Sequence, residues 1–378
     1  MTPVTMQILQ ADLIPVPGTD GFIHLAYAAQ LTNLDRGVAE LETIAPVDPL
    51  HDFAAVGSSG VMDADGNNIS GTVRPFNPAR PGDDAARTVD ARQLQGGASG
   101  IAFFDVRFTK MKDVPGFLSH RLVVRLPGGK EVNELINPVP VGCQSPVVIS
   151  PPLIGPRWWD ANGCCEVISP HRGATLPING TIKLPEQFAI DYVQINAKDG
   201  CCTGPTKDLK SWPFFGAPVL AVADGLVVEK VDGMPEQVPG EVKGINVQNA
   251  GGNHIIEAIG NGRYVLYAHL RTGSIPAGIV VGTALKRGEK IGEIGNTGSS
   301  TAPHLHFQVM DSPSVLDATG LPFVFDRQLL EGQVGGTANE ADHAYESGAS
   351  IDVSMRSAKS PQSNLMPIEG QVFTYNEK

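Results

Sequence analysis

Apolar residues along this chain fall in short alternating runs, and Gly, Pro, Asn and Asp interrupt those runs every few positions. From Gly21, GFIHLAYAAQLTNLDRGVAELETIAPVD reads as a strand, a turn over Asn33 to Gly37, and a second strand. A similar block, GIAFFDVRFTKMKDVPGFLSHRLVVRLPGGKEV, runs from Gly100 to Val132, with Pro115-Gly116 and Pro127-Gly128-Gly129 as breakers. Between them lies a polar connection over residues 57–99 with little periodicity. The pattern predicts an antiparallel β-sandwich over residues 21–135, preceded by an N-terminal segment of residues 1–20. Ile136 to Pro156, INPVPVGCQSPVVISPPLIGP, carries six prolines and is expected to be an extended linker. A second domain is expected over residues 157–335, again built from short strands. Its hairpin signals are Asn179-Gly180, Asp224-Gly225 and Asn261-Gly262, each set between apolar runs. Residues 336–378 are polar and aperiodic, which predicts a loosely packed extension.

Composition agrees with a mostly β fold. The 43 Gly and 30 Pro against 18 % charged residues favour turns over long charged helices. The net charge of -12, with no cluster of Lys and Arg, argues against a nucleic-acid partner. No run of about 18 apolar residues is present, so no transmembrane segment is expected. The first residues, MTPVTMQILQADLIPVPG, lack a basic region followed by an apolar one, so no signal peptide is expected from them. Four of the five cysteines form the doublets Cys164-Cys165 and Cys201-Cys202, with Cys143 left over. Adjacent cysteines rarely pair with each other, so the expectation is a disulfide from one doublet to the other, in an oxidising compartment. A thiolate zinc site is the rival reading, although the doublets lack the usual ligand spacing.

Candidate chemistry begins at GNTGSSTAPHLHF, Gly295 to Phe307. Strand alternation puts His304 and His306 on one face, with Leu305 and Phe307 on the other. The same counting puts Tyr267 and His269 of YAHL on one face, with Leu266, Ala268 and Leu270 opposite. Each pair could equally be an ordinary strand face. A third cluster changes the balance: His171 precedes the Asn179-Gly180 turn, and Asp191 in FAIDYVQI follows it, so a hairpin could bring the two together. Two imidazoles and a carboxylate make a common catalytic zinc set that leaves a position open for water. His24, His51, His120 and His343 lie outside these motifs, and His254 reads as an ordinary strand residue. Trp158 and Trp159 suit either sugar stacking or core packing.

YAHL followed by GNTGSSTAPHLHF, with His171 and Asp191 upstream, resembles the lysostaphin-type (LytM-like) zinc metallopeptidases that cut peptide bonds of bacterial peptidoglycan. The resemblance covers roughly Pro170 to Asp311. It implies a peptidase domain of the duplicated hybrid motif type, with one Zn2+ per chain held by His171, Asp191 and His306. It also implies that His269 and His304 are catalytic without binding metal. The substrate implied is a peptidoglycan peptide, and the location extracytoplasmic, periplasmic or secreted. The first block, with AYAAQLTNLD and SHRLVV, is similar to the β-sandwich that precedes the peptidase domain in some members. Two departures stand out. In that family the first His and the Asp share one short segment, whereas here a whole turn intervenes; and the usual HFE ending is HFQ, with Gln308 placed to orient a ligand.

The ligand set implies the mechanism: the metal activates water and polarises the carbonyl, His304 takes the proton, and His269 donates to the oxyanion or holds the water. The alternative is a non-catalytic wall-binding or hydrolase-activator protein on the same fold.

Overall fold

The computed structural model describes residues 3–59, 72–75, 92–165 and 169–376. Most of the polar connection of residues 57–99 lies outside them. The described chain forms two compact units that are not consecutive in sequence: Met1–Pro146 with Cys165–Leu184, and Val147–Cys164 with Pro185–Lys378.

In the first unit the predicted strands are β1 (Ile23–Asn33), β2 (Ala39–Asp48), β3 (Ser99–Phe108) and β4 (Phe117–Arg125). β1 pairs antiparallel with β3, and β2 with β4, in two separate sheets. Consecutive strands therefore cross from sheet to sheet. Leu25, Tyr27 and Leu31 of β1 and Phe104 and Val106 of β3 meet Leu41 of β2 and Leu118, Leu122 and Val124 of β4 in one buried cluster. The two sheets thus share one buried core.

The same unit contains helix α1 (Pro170–Gly173), which carries His171. Ser169 caps it by accepting a hydrogen bond from the Arg172 N–H, and Pro170 occupies the first turn, where a missing N–H costs nothing. Arg172 is buried, and its guanidinium donates to the carbonyls of Phe104 (2.8 Å), Cys165 (3.2 Å) and Tyr27 (3.4 Å). Asn179 and Gly180 both have positive φ and join Leu176–Ile178 to Thr181–Lys183, as their sequence demands. That hairpin ends at Lys183, so it does not carry Asp191, which belongs to the second unit.

The second unit is built on a ten-stranded antiparallel sheet. Its strands include β5 (Gly155–Ala161), β6 (Ile190–Gln194), β7 (Asn253–Gly260), β8 (Arg263–Leu270), β9 (Leu305–Met310) and β10 (Gln328–Val334). Helix α2 (Ala338–Ser347) follows, then β11 (Val353–Gln362) and β12 (Gln371–Tyr375). From Gly225–Val231 inward the order is β7, β8, β9, β6, β5, β12, β10, β11. Asn261-Gly262 makes the β7–β8 hairpin, both residues at positive φ. Asp224-Gly225 does not make one: Pro218–Leu220 pairs with Lys290–Glu293, and Gly225–Val231 pairs with β7.

Within the predicted extension of residues 336–378, the described residues up to 376 are not loosely packed. β12 is inserted between β5 and β10, and Val372, Phe373 and Tyr375 are buried in the main core. Polar composition misled because β11 is an edge strand with most of its side chains exposed, while among the described side chains of α2 the buried ones are Ala341 and Tyr345. Trp158 and Trp159 are core residues, each about fully buried, which removes them as sugar platforms.

Candidate functional site

β6, β8 and β9 are adjacent in the sheet, and their register brings the site together. Asp191 stands directly opposite His306, and Ala268 opposite His306 on the other side. Cross-strand partners share a face, so the Asp191 carboxylate and the His306 imidazole emerge side by side. Leu305, Phe307 and Tyr267 point the other way, into the core.

His269 departs from simple alternation. Counting from Tyr267 would send it to the core face, yet its φ is +62° and the β7–β8 register slips by one residue between Asn253–Leu270 and Ile255–Tyr267. The bulge turns His269 onto the His306 side, with ring centroids 4.7 Å from His304 and 5.9 Å from His306. Tyr267 and His269 are thus on opposite faces, contrary to the expectation from sequence. Tyr267 serves the core: its hydroxyl donates to Glu257 Oε2 at 2.6 Å and accepts from Val222 N–H at 2.9 Å.

Hydrogen bonds fix the state of each imidazole, because a carbonyl oxygen can only accept. His269 Nδ1 lies 2.8 Å from Thr297 O, and His304 Nδ1 2.9 Å from Ala302 O. Both rings therefore carry the Nδ1 proton, which leaves Nε2 as the acceptor of the neutral ring. Burial, with His304 and His306 alongside, holds the His269 imidazolium well below its usual range, so this ring is neutral. Gln308 is buried, and its amide N–H donates to Pro185 O at 3.0 Å; its Oε1 consequently faces His306 Nε2 at 2.8 Å. His306 must carry its proton on Nε2, leaving the Nδ1 lone pair toward Asp191 Oδ1, 3.0 Å away.

Two acceptors facing each other at 3.0 Å require a cation between them, a second proton or a metal ion. The donor set, an imidazole nitrogen and a carboxylate oxygen, suits zinc. Asn162 holds the other oxygen: its Nδ2 donates to Asp191 Oδ2 at 3.1 Å. Asn162 escaped the sequence reading; the available signal was the Asn162-Gly163 dipeptide, and Asn162 does adopt positive φ, at +57°. His304 Nε2 is 3.5 Å from Asp191 Oδ1, so His269, His304, His306 and Asp191 form one constellation in the second unit. His171 is buried on α1 in the first unit.

The loop before His304 frames this constellation. Gly298, at φ +77°, approaches so closely that a Cβ there would lie 2.3 Å from Ala250 O. Thr297 Oγ1 accepts from Asn253 N–H and donates to Leu270 O, tying the loop to β7 and β8. The loop is therefore a fixed wall whose small residues are required by backbone contact.

Other candidates resolve as structural groups. His254 bonds the Gly252 carbonyl and Glu229. His24, Asp105 and Cys165 lie close enough to suggest a second metal group, but His24 is bridged by Asp105 on Nδ1 and Asp20 on Nε2, and the Cys165 sulfur is in a disulfide. Of the five cysteines, Cys143, Cys201 and Cys202 are free and Cys164 and Cys165 are disulfide-bonded, hence to each other. The expected link between doublets is absent: Cys201 is buried as a thiol, and that burial, with Cys202 beside it, pushes its pKa up, a direction that keeps it protonated.

Residues 213–318 match the family described as Peptidase family M23. Over 125 residues the chain is 33% identical to lysostaphin of Staphylococcus simulans, covering 32% of this chain and 22% of that protein. Over 93 residues it is 39% identical to the DD-carboxypeptidase/endopeptidase Mpg of Neisseria meningitidis serogroup B, covering 25% of this chain and 17% of Mpg. Among solved structures, the catalytic domain of lysostaphin from Staphylococcus simulans is 26% identical, covering 44% of this chain and 88% of that one, with a TM-score of 0.24. The chain spans about a fifth of the length of the curated relatives it matches.

Proposed function

We propose, from the premise that residues 213–318 form a LytM-like domain of peptidase family M23, that this protein is a zinc endopeptidase hydrolysing peptide cross-links of bacterial peptidoglycan. The observation that carries the reading is the juxtaposition of His306 Nδ1 and Asp191 Oδ1 at 3.0 Å, two metal-ligand atoms each oriented by a partner of its own. These two residues, with His171 as the third ligand that the sequence resemblance supplies, would hold one Zn2+. The bound ion would supply Lewis acidity and lower the pKa of a water to about 7.

The chain's own residues do the rest. His304, its Nδ1–H fixed on Ala302 O, offers Nε2 to take the proton of the attacking water and pass it to the leaving amine. His269 Nε2 accepts a hydrogen bond from the same water and aims it. With its Nδ1–H engaged by Thr297 O, a neutral His269 cannot also donate to an oxyanion; it does so only after receiving a proton. An extracytoplasmic location, periplasmic or secreted, follows from the substrate.

Metal analysis of the purified chain should find about one zinc per molecule, lost in His306→Ala. His304→Ala should retain the metal and lose hydrolysis of purified peptidoglycan. A metal-free wild-type chain would return the non-catalytic binding protein as the better reading.

A further inference from the structure

The backbone on both sides of the Ala302 carbonyl that fixes His304 is held from outside the segment that matches the peptidase family. That segment ends at residue 318, and α2 begins at Ala338. The helix is well started: Thr337 accepts from Glu340 N–H while the Glu340 carboxylate accepts from Thr337 N–H. It buries Tyr345, whose ring stands edge-on to Trp212 at 5.3 Å and to Trp159 at 6.5 Å. The Tyr345 hydroxyl donates to Pro303 O at 2.8 Å, and the next residue, Glu346, accepts from Thr301 Oγ1 at 2.8 Å. Between these two points lies Ala302, whose carbonyl receives the Nδ1 proton of His304.

We infer that α2 is part of the active site, and that Tyr345 is a positioning residue that keeps the Thr301–Pro303 segment where Ala302 O locks the His304 tautomer. The proposal rests on reading His304 as the base. Pro303 cannot donate a hydrogen bond and contributes only its carbonyl, so the Tyr345 hydroxyl ties the peptide just before His304 from the α2 side, while the Gly295–His304 bridge and the Ser300 hydroxyl on Ala302 O hold it from within the loop. A shift of the segment that took Ala302 O away would leave Nδ1 facing only the Ser300 hydroxyl, 3.2 Å away, which can donate as well as accept; the proton could then move to Nε2 and remove the acceptor that the water needs.

The test uses the full chain carrying Tyr345→Phe, which keeps the ring against both tryptophans and removes the hydroxyl. Zinc content and KM for peptidoglycan should match wild type, kcat should fall roughly tenfold, and histidine 15N spectra should show His304 losing its single Nδ1–H form. An unchanged kcat with an unchanged His304 signal overturns the proposal, and so does a kcat loss that tracks lost zinc. Thr301→Ala, at an exposed position, provides the same readouts should Tyr345→Phe not fold: lower kcat at full zinc supports the clamp, and wild-type kcat overturns it. If the wild-type chain hydrolyses nothing, the reading of His304 as a base fails, while the tautomer spectra still decide whether Tyr345 positions it.

Discussion

Gln308 decides which nitrogen of His306 is available. Its amide is fixed by Pro185 O, so its oxygen receives the Nε2 proton and Nδ1 is left to bind. Gln308→Met, close in shape but unable to accept, should lower zinc affinity roughly 10- to 100-fold in a chelator competition; unchanged affinity would mean that His306 binds through Nε2. The face shared by His304 and His306 was legible because their strand keeps the two-residue period without interruption. His269 was legible as a candidate and misplaced in geometry, since a bulge with φ +62° leaves no mark in the sequence YAHL. The adjacent Cys164–Cys165 bond was misjudged for a similar reason. Pairing between doublets needs two loops to meet, and Cys201 instead packs as a buried thiol in the core.

At the scale of elements, the glycine-rich loop and the C-terminal strands carry the clearest consequences. A side chain at Gly298 meets backbone on two sides, Ala250 O at 2.3 Å and Gly252 N at 2.4 Å, at a φ of +77°. Neither neighbour is a flexible side-chain end, so Gly298→Ala should cost on the order of 1–3 kcal/mol. The thermal midpoint would drop, and activity with it, because Thr297 O and Ala302 O belong to the same loop. Deletion of residues 336–378 should abolish soluble folded protein, visible as lost near-UV dichroism; a well-folded truncated chain would contradict the observed role of β12. The sandwich strands and the Asn179-Gly180 and Asn261-Gly262 turns were readable from alternation and turn chemistry. Which strands pair was not readable, since Asp224-Gly225 has the residues of a hairpin and its flanking strands pair elsewhere.

Across the whole molecule, two buried groups give stability the same direction of pH dependence. Burial by itself would lower the pKa of His24, but Asp105 and Asp20 on its two nitrogens outweigh it and raise it from 6.5 to about 9. Its contribution is complete below about 6.5 and is lost as pH rises through about 9. Glu257 is raised from 4.5 to about 7, chiefly by burial, so its neutral form is the one the fold prefers. That contribution is lost as pH climbs from about 4.5 to about 7. Each is on the order of 3 kcal/mol, so the thermal midpoint should fall from about pH 5.5 to about pH 9.5. Glu257→Gln should flatten the lower part of that fall and His24→Gln the upper part. None of the sequence patterns announced these groups, because a strand residue's ionisation depends on partners such as Asp105, 81 positions away.

The Tyr375 hydroxyl reaches back 215 positions to Asp160, and β12 separates β5 from β10. A ribosome adds about 5–20 residues per second, so β5, which leads directly to Asn162 and thus to Asp191, waits roughly ten seconds or more for its neighbour. For the proposed hydrolase that delay is protective. Until β12 has emerged the nascent chain lacks the strand that joins β5 to β10, and the sheet that positions the proposed site stays unfinished.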